Sequence, residues 1–154
     1  MEGFIRGTGT RDEHAKLLLD SYRKWTGKEL LLLEPQRSPM DQVDESSIVI
    51  LSHDTEADPV LNYGNCMAQQ LWEMDADTFA STPSRLTAEP MEREERARFL
   101  ELVAGQGYVD DYTGIRISST GRRFYIRNAI VWNLVDEDGV YKGQAAAFSE
   151  YTFL

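Results

Sequence analysis

Five arginines, Arg85, Arg116, Arg122, Arg123 and Arg127, gather in the second half of a chain that is acidic as a whole. A guanidinium presents a planar fork of N–H donors that grips a carboxylate with two hydrogen bonds. The group is therefore a candidate clamp for an anion, with ion pairs to Asp77, Glu89, Asp110 and Asp111 as the purely structural alternative. Arg85 is singled out because it lies between Pro83 and Pro90, in a loop expected to border any internal cavity. His53 stands with Asp54, Glu56 and Asp58, types that hold cations or move protons. Their spacing is not that of a helical zinc pair and the run has one histidine, whereas Asp and Pro there suit a turn. Cys66, the single cysteine, opens a predicted helix, a place that favours a thiolate; a lone cysteine equally serves as a small packing residue. No nucleophile stands beside a base and no metal-ligand set is apparent, so the chain is not expected to be an enzyme. An activity on a small polar substrate would have to enlist Asp54, Asp110 or Arg85.

A second group is built for shape. Trp72, Trp132, Tyr63, Tyr112, Phe124 and Phe148 are numerous enough to line a pocket or to fill a core. Ala145-Ala146-Ala147 would leave room at the sheet surface for a bound molecule. The expected ligand-binding set is Trp72 as a helical wall, Trp132 and Phe148 as an apolar floor, and Tyr112 and Arg85 as polar contacts. Trp132 enters through strand parity, because Phe124, Ile126, Ile130, Trp132 and Leu134 fall on one face and Arg123, Tyr125, Arg127 and Asn133 on the other. These residues name no cofactor.

The elements that must position them are readable from periodicity and breakers. Strands are expected near residues 47–53, 59–64, 109–119, 122–136 and 139–153, the last three joined by turns at Thr120-Gly121 and Asp138-Gly139. Helical spacing appears at residues 12–25, with Asp12 as cap and Gly27 as stop, and again at 66–73, 75–80 and 89–104. Asn65 is the expected cap of the 66–73 helix, and Phe99, Leu102 and Val103 form the stripe of the longest one. His14 reads as a packing or interface residue. Residues 1–10 are expected to be loose, and Pro35 and Pro39 to make 34–46 a linker. The division is then an N-terminal helix and linker at 1–43 and a compact module at 44–154.

Composition narrows the function classes. With 154 residues, 42% hydrophobic and 27% charged, the chain can bury a core without staples. Sixteen basic against 26 acidic side chains give −10, a surface that repels phosphate backbones and anionic lipid. Neither nucleic acid nor membrane is an expected partner. The longest apolar run, residues 30–33, cannot span a bilayer, and no signal-peptide core follows the first residues. A reducing, cytoplasmic setting is the expectation.

Leu61-Asn62-Tyr63-Gly64-Asn65 leading into Leu71-Trp72 resembles the PAS signature that runs into the first PAS helix. The run from Val135 through Asp138-Gly139 to Gly143, followed by Ala145-Ala146-Ala147-Phe148, is similar to the C-terminal PAS hairpin. Longer blocks, Thr26-Gly27-Lys28-Glu29-Leu30, residues 51–65, Pro83-Ser84-Arg85-Leu86-Thr87-Ala88-Glu89-Pro90, Asp110-Asp111-Tyr112 and residues 116–124, resemble the MEKHLA-domain family. That PAS-like group occurs as small bacterial and algal proteins and as the C-terminal domain of plant class III homeodomain–leucine-zipper regulators. Nothing resembles the homeodomain or zipper, so DNA binding does not transfer. The resemblance implies an α+β fold: a five-stranded antiparallel sheet, first and last strands adjacent, with short helices and one longer helix on one face, preceded by an N-terminal helix.

It also implies a sensory or regulatory module that binds a small organic ligand, dimerises, or both; the alternative is a protein-interaction module with a filled core. Flavin-binding light sensors of this class carry a cysteine motif in a later helix, whereas Cys66 begins the first. Haem-binding ones place a histidine on the long helix, and residues 89–104 have none. Leu18, Tyr22 and Trp25 form an apolar stripe through which the N-terminal helix is expected to make a homodimer.

Overall fold

The thirteen-residue strand β6 (Arg123–Val135) runs through the middle of the sheet and changes face part-way along. Phe124 and Ile126 point to one side, whereas Trp132 and Leu134 join the core on the other side. The switch falls at Asn128, whose φ of 53° lies in the left-handed region that asparagine enters more readily than most residues. Strict alternation would have placed all four on one face, so the parity expected from sequence is corrected here.

The computed structural model describes residues 4–154, with residues 90–92 as helix backbone. Its main sheet is antiparallel, in the order β4 (Leu61–Gly64), β3 (Val49–His53), β7 (Tyr141–Phe148), β6, β5 (Tyr108–Ile117). The first and last long strands are neighbours, as expected. The final strand is broken at Ser149: β8 (Glu150–Phe153) continues along the other half of β6, making six strands rather than five. Gly121 and Gly139 close the two hairpins at φ 89° and 79°, conformations that glycine supplies without a Cβ clash. A small ribbon of β1 (Phe4–Ile5) and β2 (Gly9–Thr10) occupies the segment expected to be loose.

Helix α1 (Arg11–Thr26) lies against the sheet face that Trp132 joins. Thr10, not Asp12, caps it, in a capping box with Glu13, and Gly27 ends it in the left-handed conformation. Leu18 is fully buried, and the Tyr22 ring meets Trp132 edge-on at 5.2 Å. Trp132 Nε1 donates to the Leu18 carbonyl at 3.3 Å, and Trp25 Nε1 to that of Asn133 at 2.9 Å. The stripe proposed for a second copy is thus covered by the protein's own sheet. The presumed linker holds helix α2 (Pro39–Glu45), capped by Ser38, with Met40 and Val43 buried in the same core. Leu30 and Leu31 dock beside it, while Leu32 is exposed.

On the opposite face sit α3 (Cys66–Trp72), α4 (Ala76–Phe79), a 3-10 turn at Ser84–Thr87, and α5 (Pro90–Gln106). Asn65 caps α3 as expected and does more. Its Oδ1 accepts from the backbone N–H groups of Ala68 and Ile50, both at 3.1 Å, and its Nδ2 donates to the carbonyls of Val43 and Ile48. One side chain therefore ties both helical layers to the sheet.

His14 is fully buried between Thr8 and Ser52. Ser52 gives its proton to Asn62 Oδ1 at 2.7 Å, so His14 Nε2–H donates to Ser52 Oγ and Nδ1 accepts from Thr8 Oγ1. This neutral tautomer satisfies every partner, and burial, with Arg11 nearby, lowers the His14 pKa from 6.5 to about 3. A depressed histidine contributes stability above its unfolded pKa and loses it as pH falls. Between pH 6.5 and about 3, this residue should cost up to about 1.4 kcal/mol of stability per pH unit. Denaturant unfolding at a series of pH values should show that slope reduced by about one proton in His14→Gln. In the same assay Trp132→Ala should cost about 3–5 kcal/mol, as large aromatic deletions in cores do; a loss under 1 kcal/mol would contradict the α1-facing core.

Candidate functional site

Between the inner sheet face and α3–α5 the packing leaves a cavity of about 60 Å³. Its apolar wall is made by Leu51, Leu61, Trp72, Ile126, Val131 and Phe148, and its polar side by His53, Ser84, Thr87, Arg96, Arg116 and Gln144. Trp72 is almost completely buried, with its ring edge-on to Phe124 at 5.1 Å and to Phe79 and Phe148 at 6.2 Å. Its indole Nε1 is a buried donor with no acceptor among the described residues. Tyr112 stacks on Phe99 with ring centres 4.0 Å apart.

The two arginines enter from different elements. Arg116, on β5, donates from Nη1 to the Ile115 carbonyl at 2.8 Å and from Nη2 to Tyr112 Oη at 2.9 Å. Gly114 makes that geometry fit, because a Cβ there would stand 2.7 Å from Tyr112 Oη. Arg96, on α5, donates to Ser84 Oγ. Burial and the neighbouring Arg116 charge lower the Arg96 pKa to about 10, so it remains a cation at neutral pH.

Beside the arginines a chain of amides joins α5 to the sheet. Asn133 Nδ2 donates to the carbonyls of Val103 and Ala104, both at 3.2 Å, near the helix end. Gln144 Nε2 donates to Asn133 Oδ1 at 3.1 Å and to the Leu100 carbonyl at 3.0 Å, which leaves Gln144 Oε1 facing His53 Nε2 at 3.2 Å. The other ring nitrogen of His53 faces the Asp54 carbonyl at 2.8 Å. Both nitrogens meet acceptors, yet burial lowers the pKa of the ring. His53 is thus a strand residue in a hydrogen-bonded chain, while Asp54 accepts from the turn N–H groups of Glu56 and Val60 and pairs with Arg6. Among the described residues no group of three or more His, Cys, Asp or Glu side chains could hold a metal.

Of the five expected ligand-binding residues, the structure brings three to the cavity: Trp72, Tyr112 and Phe148. Trp132 lies on the far face of the sheet, because the kink at Asn128 turns Ala129, Val131 and Asn133 inward in its place. Arg85 is half-exposed and pairs with Asp58 at 3.2 Å, outside the lining. Arg123 pairs with Glu89, while Arg122 lies over the Phe153 ring and Arg127 near that of Tyr125. Cys66 is exposed and is not in the lining. Sequence reasoning passed over Arg96 and Gln144. For Arg96 a signal exists: Arg96, Phe99, Leu100 and Val103 share one helix face at three- and four-residue spacing, so the arginine sits within the apolar stripe. Leu102, placed on that stripe from sequence, is exposed.

An antiparallel sheet in this order, with the cavity roofed by short helices and one longer helix, is the architecture of PAS domains. The PAS domain of a protein from Colwellia psychrerythraea superposes with a TM-score of 0.61 at 13% identity, covering 74% of this chain and 92% of that one. An RNA-binding light-oxygen-voltage receptor gives 0.58 at 15% identity over 77% of this chain and 35% of its own length. A light-oxygen-voltage domain from a flavin-analogue study gives 0.56 at 13% identity, over 77% and 86%. The MEKHLA-domain profile matches residues 12–153, and the chain belongs to the MEKHLA-domain family. No functionally curated protein matches it in sequence. No helix among the described residues is long and apolar enough to cross a membrane.

Because Arg85 lies outside the lining, Arg85→Ala should change unfolding free energy by no more than about 1 kcal/mol, the range of exposed ion pairs. A loss above 2 kcal/mol in denaturant unfolding would show that the residue has a buried role.

Proposed function

We propose that this protein is a PAS-type sensory module that binds a small organic ligand between the inner sheet face and α3–α5. The observation that supports it best is the cavity itself, bounded by large aromatic groups, one of which, Trp72, has a buried indole N–H with no partner among the described residues. Protein interiors are ordinarily filled, and buried donors are ordinarily bonded. The proposed contacts are Trp72, Tyr112 and Phe148 together with Arg96 and Arg116. No turnover is proposed: Ser52 in the lining meets His14 Nε2, but that nitrogen carries a proton and Ser52 gives its own to Asn62, so the pair is not a nucleophile and its base.

A flavin is not the proposed ligand. About 60 Å³ is well below the several hundred Å³ of sites for drug-sized molecules, and Cys66 is not in the lining. The RNA binding named for one structural neighbour is not carried over, because this chain covers about a third of that receptor and carries −10. Nor is dimerisation through α1, whose stripe is spent on its own sheet. The small volume favours one rival, an interaction module whose core simply packs around a void.

A native mass spectrum of the freshly purified full chain, followed by melting against neutral and charged metabolites, separates the two. A ligand present at a hundred times its Kd should raise the melting temperature by roughly 5–10 °C. No bound mass and no shift with any compound would leave the interaction module standing.

A further inference from the structure

The cavity lining is chemically one-sided. Among the described residues no Asp or Glu lines it, whereas two arginines do. Several guanidinium groups elsewhere find carboxylates, as Arg85 does in Asp58, Arg123 in Glu89 and Arg11 in Asp44. Arg122 and Arg127, which find none among the described residues, sit against the rings of Phe153 and Tyr125 rather than in the cavity. Among the described residues Arg96 and Arg116 have no such partner; both line the cavity, burial and then the Arg116 charge disfavour that of Arg96, and Arg116 is 7% exposed. Two like charges, one buried and one partly buried, are expensive to hold without a counter-charge. The indole N–H of Trp72 faces the same deficit of acceptors. The site has donors and positive charge in excess, and lacks oxygen acceptors and negative charge.

We propose that the ligand of this cavity is a small organic carboxylate, its oxygens gripped by Arg96 and Arg116 and its carbon skeleton set against Trp72 and Phe148. This rests on the reading of the cavity as a ligand site and adds the class of ligand. Charge balance favours a dianion, one negative charge for each guanidinium. Volume limits its size: a cavity of about 60 Å³ selects the shortest-chain acids. The apolar wall argues for carbon rather than for an inorganic anion, since phosphate would leave that surface facing oxygen. Approach from two elements, α5 and β5, gives the planar forks separate carboxylate oxygens to hold.

The test uses the full chain and sodium malonate at constant ionic strength, followed by calorimetry and melting. Malonamide, of the same shape without charge, and inorganic phosphate are the controls. Malonate should bind saturably and raise the melting temperature, malonamide should not, and Arg96→Gln or Arg116→Gln should each weaken binding at least about tenfold. Arg85→Gln should leave malonate affinity within about twofold, as a half-exposed pair outside the lining requires. Should the glutamine variants not fold, the wild-type Trp72 indole resonance decides. A saturating shift on malonate titration supports the site, and an unmoved signal overturns it.

Binding of malonamide or phosphate with malonate inert would overturn the carboxylate class while keeping the cavity as a ligand site. Equal weakening by Arg85→Gln would overturn the assignment to Arg96 and Arg116. A flat response to every compound, charged or neutral, would remove the sensory reading together with the ligand class.

Discussion

The structure depends on β6 serving two cores, and it can do so because Asn128 accepts a left-handed backbone. A regular strand presents one set of alternate residues to each face throughout its length. Here the N-terminal half of β6 gives Phe124 and Ile126 to the α3 side, and the C-terminal half gives Trp132 and Leu134 to the α1 side. The neighbouring strands bend with it. On β5 the register shifts on either side of Tyr112, next to Asp111 at φ 63°, and the outer partner breaks at Ser149. Ala129, opposite Tyr112, is thereby turned inward as a small residue in the cavity lining. A β-branched residue at 128 would resist that φ and pull the two halves back toward common parity.

Once both faces are apolar, both need cover, and the two covers differ in kind. The α1 layer is held by interdigitated apolar groups, with Ser21 Oγ also closing on the backbone of Val135. The α5 layer has a thin apolar stripe, and the Asn133–Gln144 chain compensates by seizing carbonyls near its C-terminal end. Elements secured through few apolar contacts open more readily than a packed core. The cavity therefore lies beneath the less deeply packed cover, and α5 carries Arg96, so any ligand held by that arginine would also fasten the helix to the sheet. A sensory module needs such an element, whose energy depends on whether the site is filled.

Strand and helix order was legible because it is written in local signals: the glycines at 121 and 139, the Asn65 cap, the Gly27 stop and the family-like blocks around them. The helix in the presumed linker was also written locally, as Ser38 followed by Pro39, a cap and first-turn pair; two prolines in a short span obscured it. Half of the site was not legible, for a different reason. Trp132 was assigned by counting in twos, and a single positive φ reverses that count without altering a hydrophobic residue. Arg85 drew notice from its proline-flanked position, whereas position in a loop does not tell which way a long side chain turns. The fate of the α1 stripe was equally out of reach, since a second copy and the protein's own sheet present the same apolar demand.

A carboxylate held inside a protein of charge −10 is less contradictory than the totals suggest. Net charge governs approach, because at a distance the ligand meets the sum of all surface groups. At physiological salt that sum is screened within about 8 Å. Inside the cavity the nearest charges are the two guanidinium groups, in surroundings of lower polarity where each interaction is stronger than in water. The acidic surface thus weighs on the rate of arrival, and the arginines weigh on the rate of departure. Retention is the term that a sensor must make selective. The absence of any Asp or Glu from the lining among the described residues is then the physical condition for that selectivity, since one carboxylate beside Arg96 or Arg116 would occupy from within the charge left for the ligand.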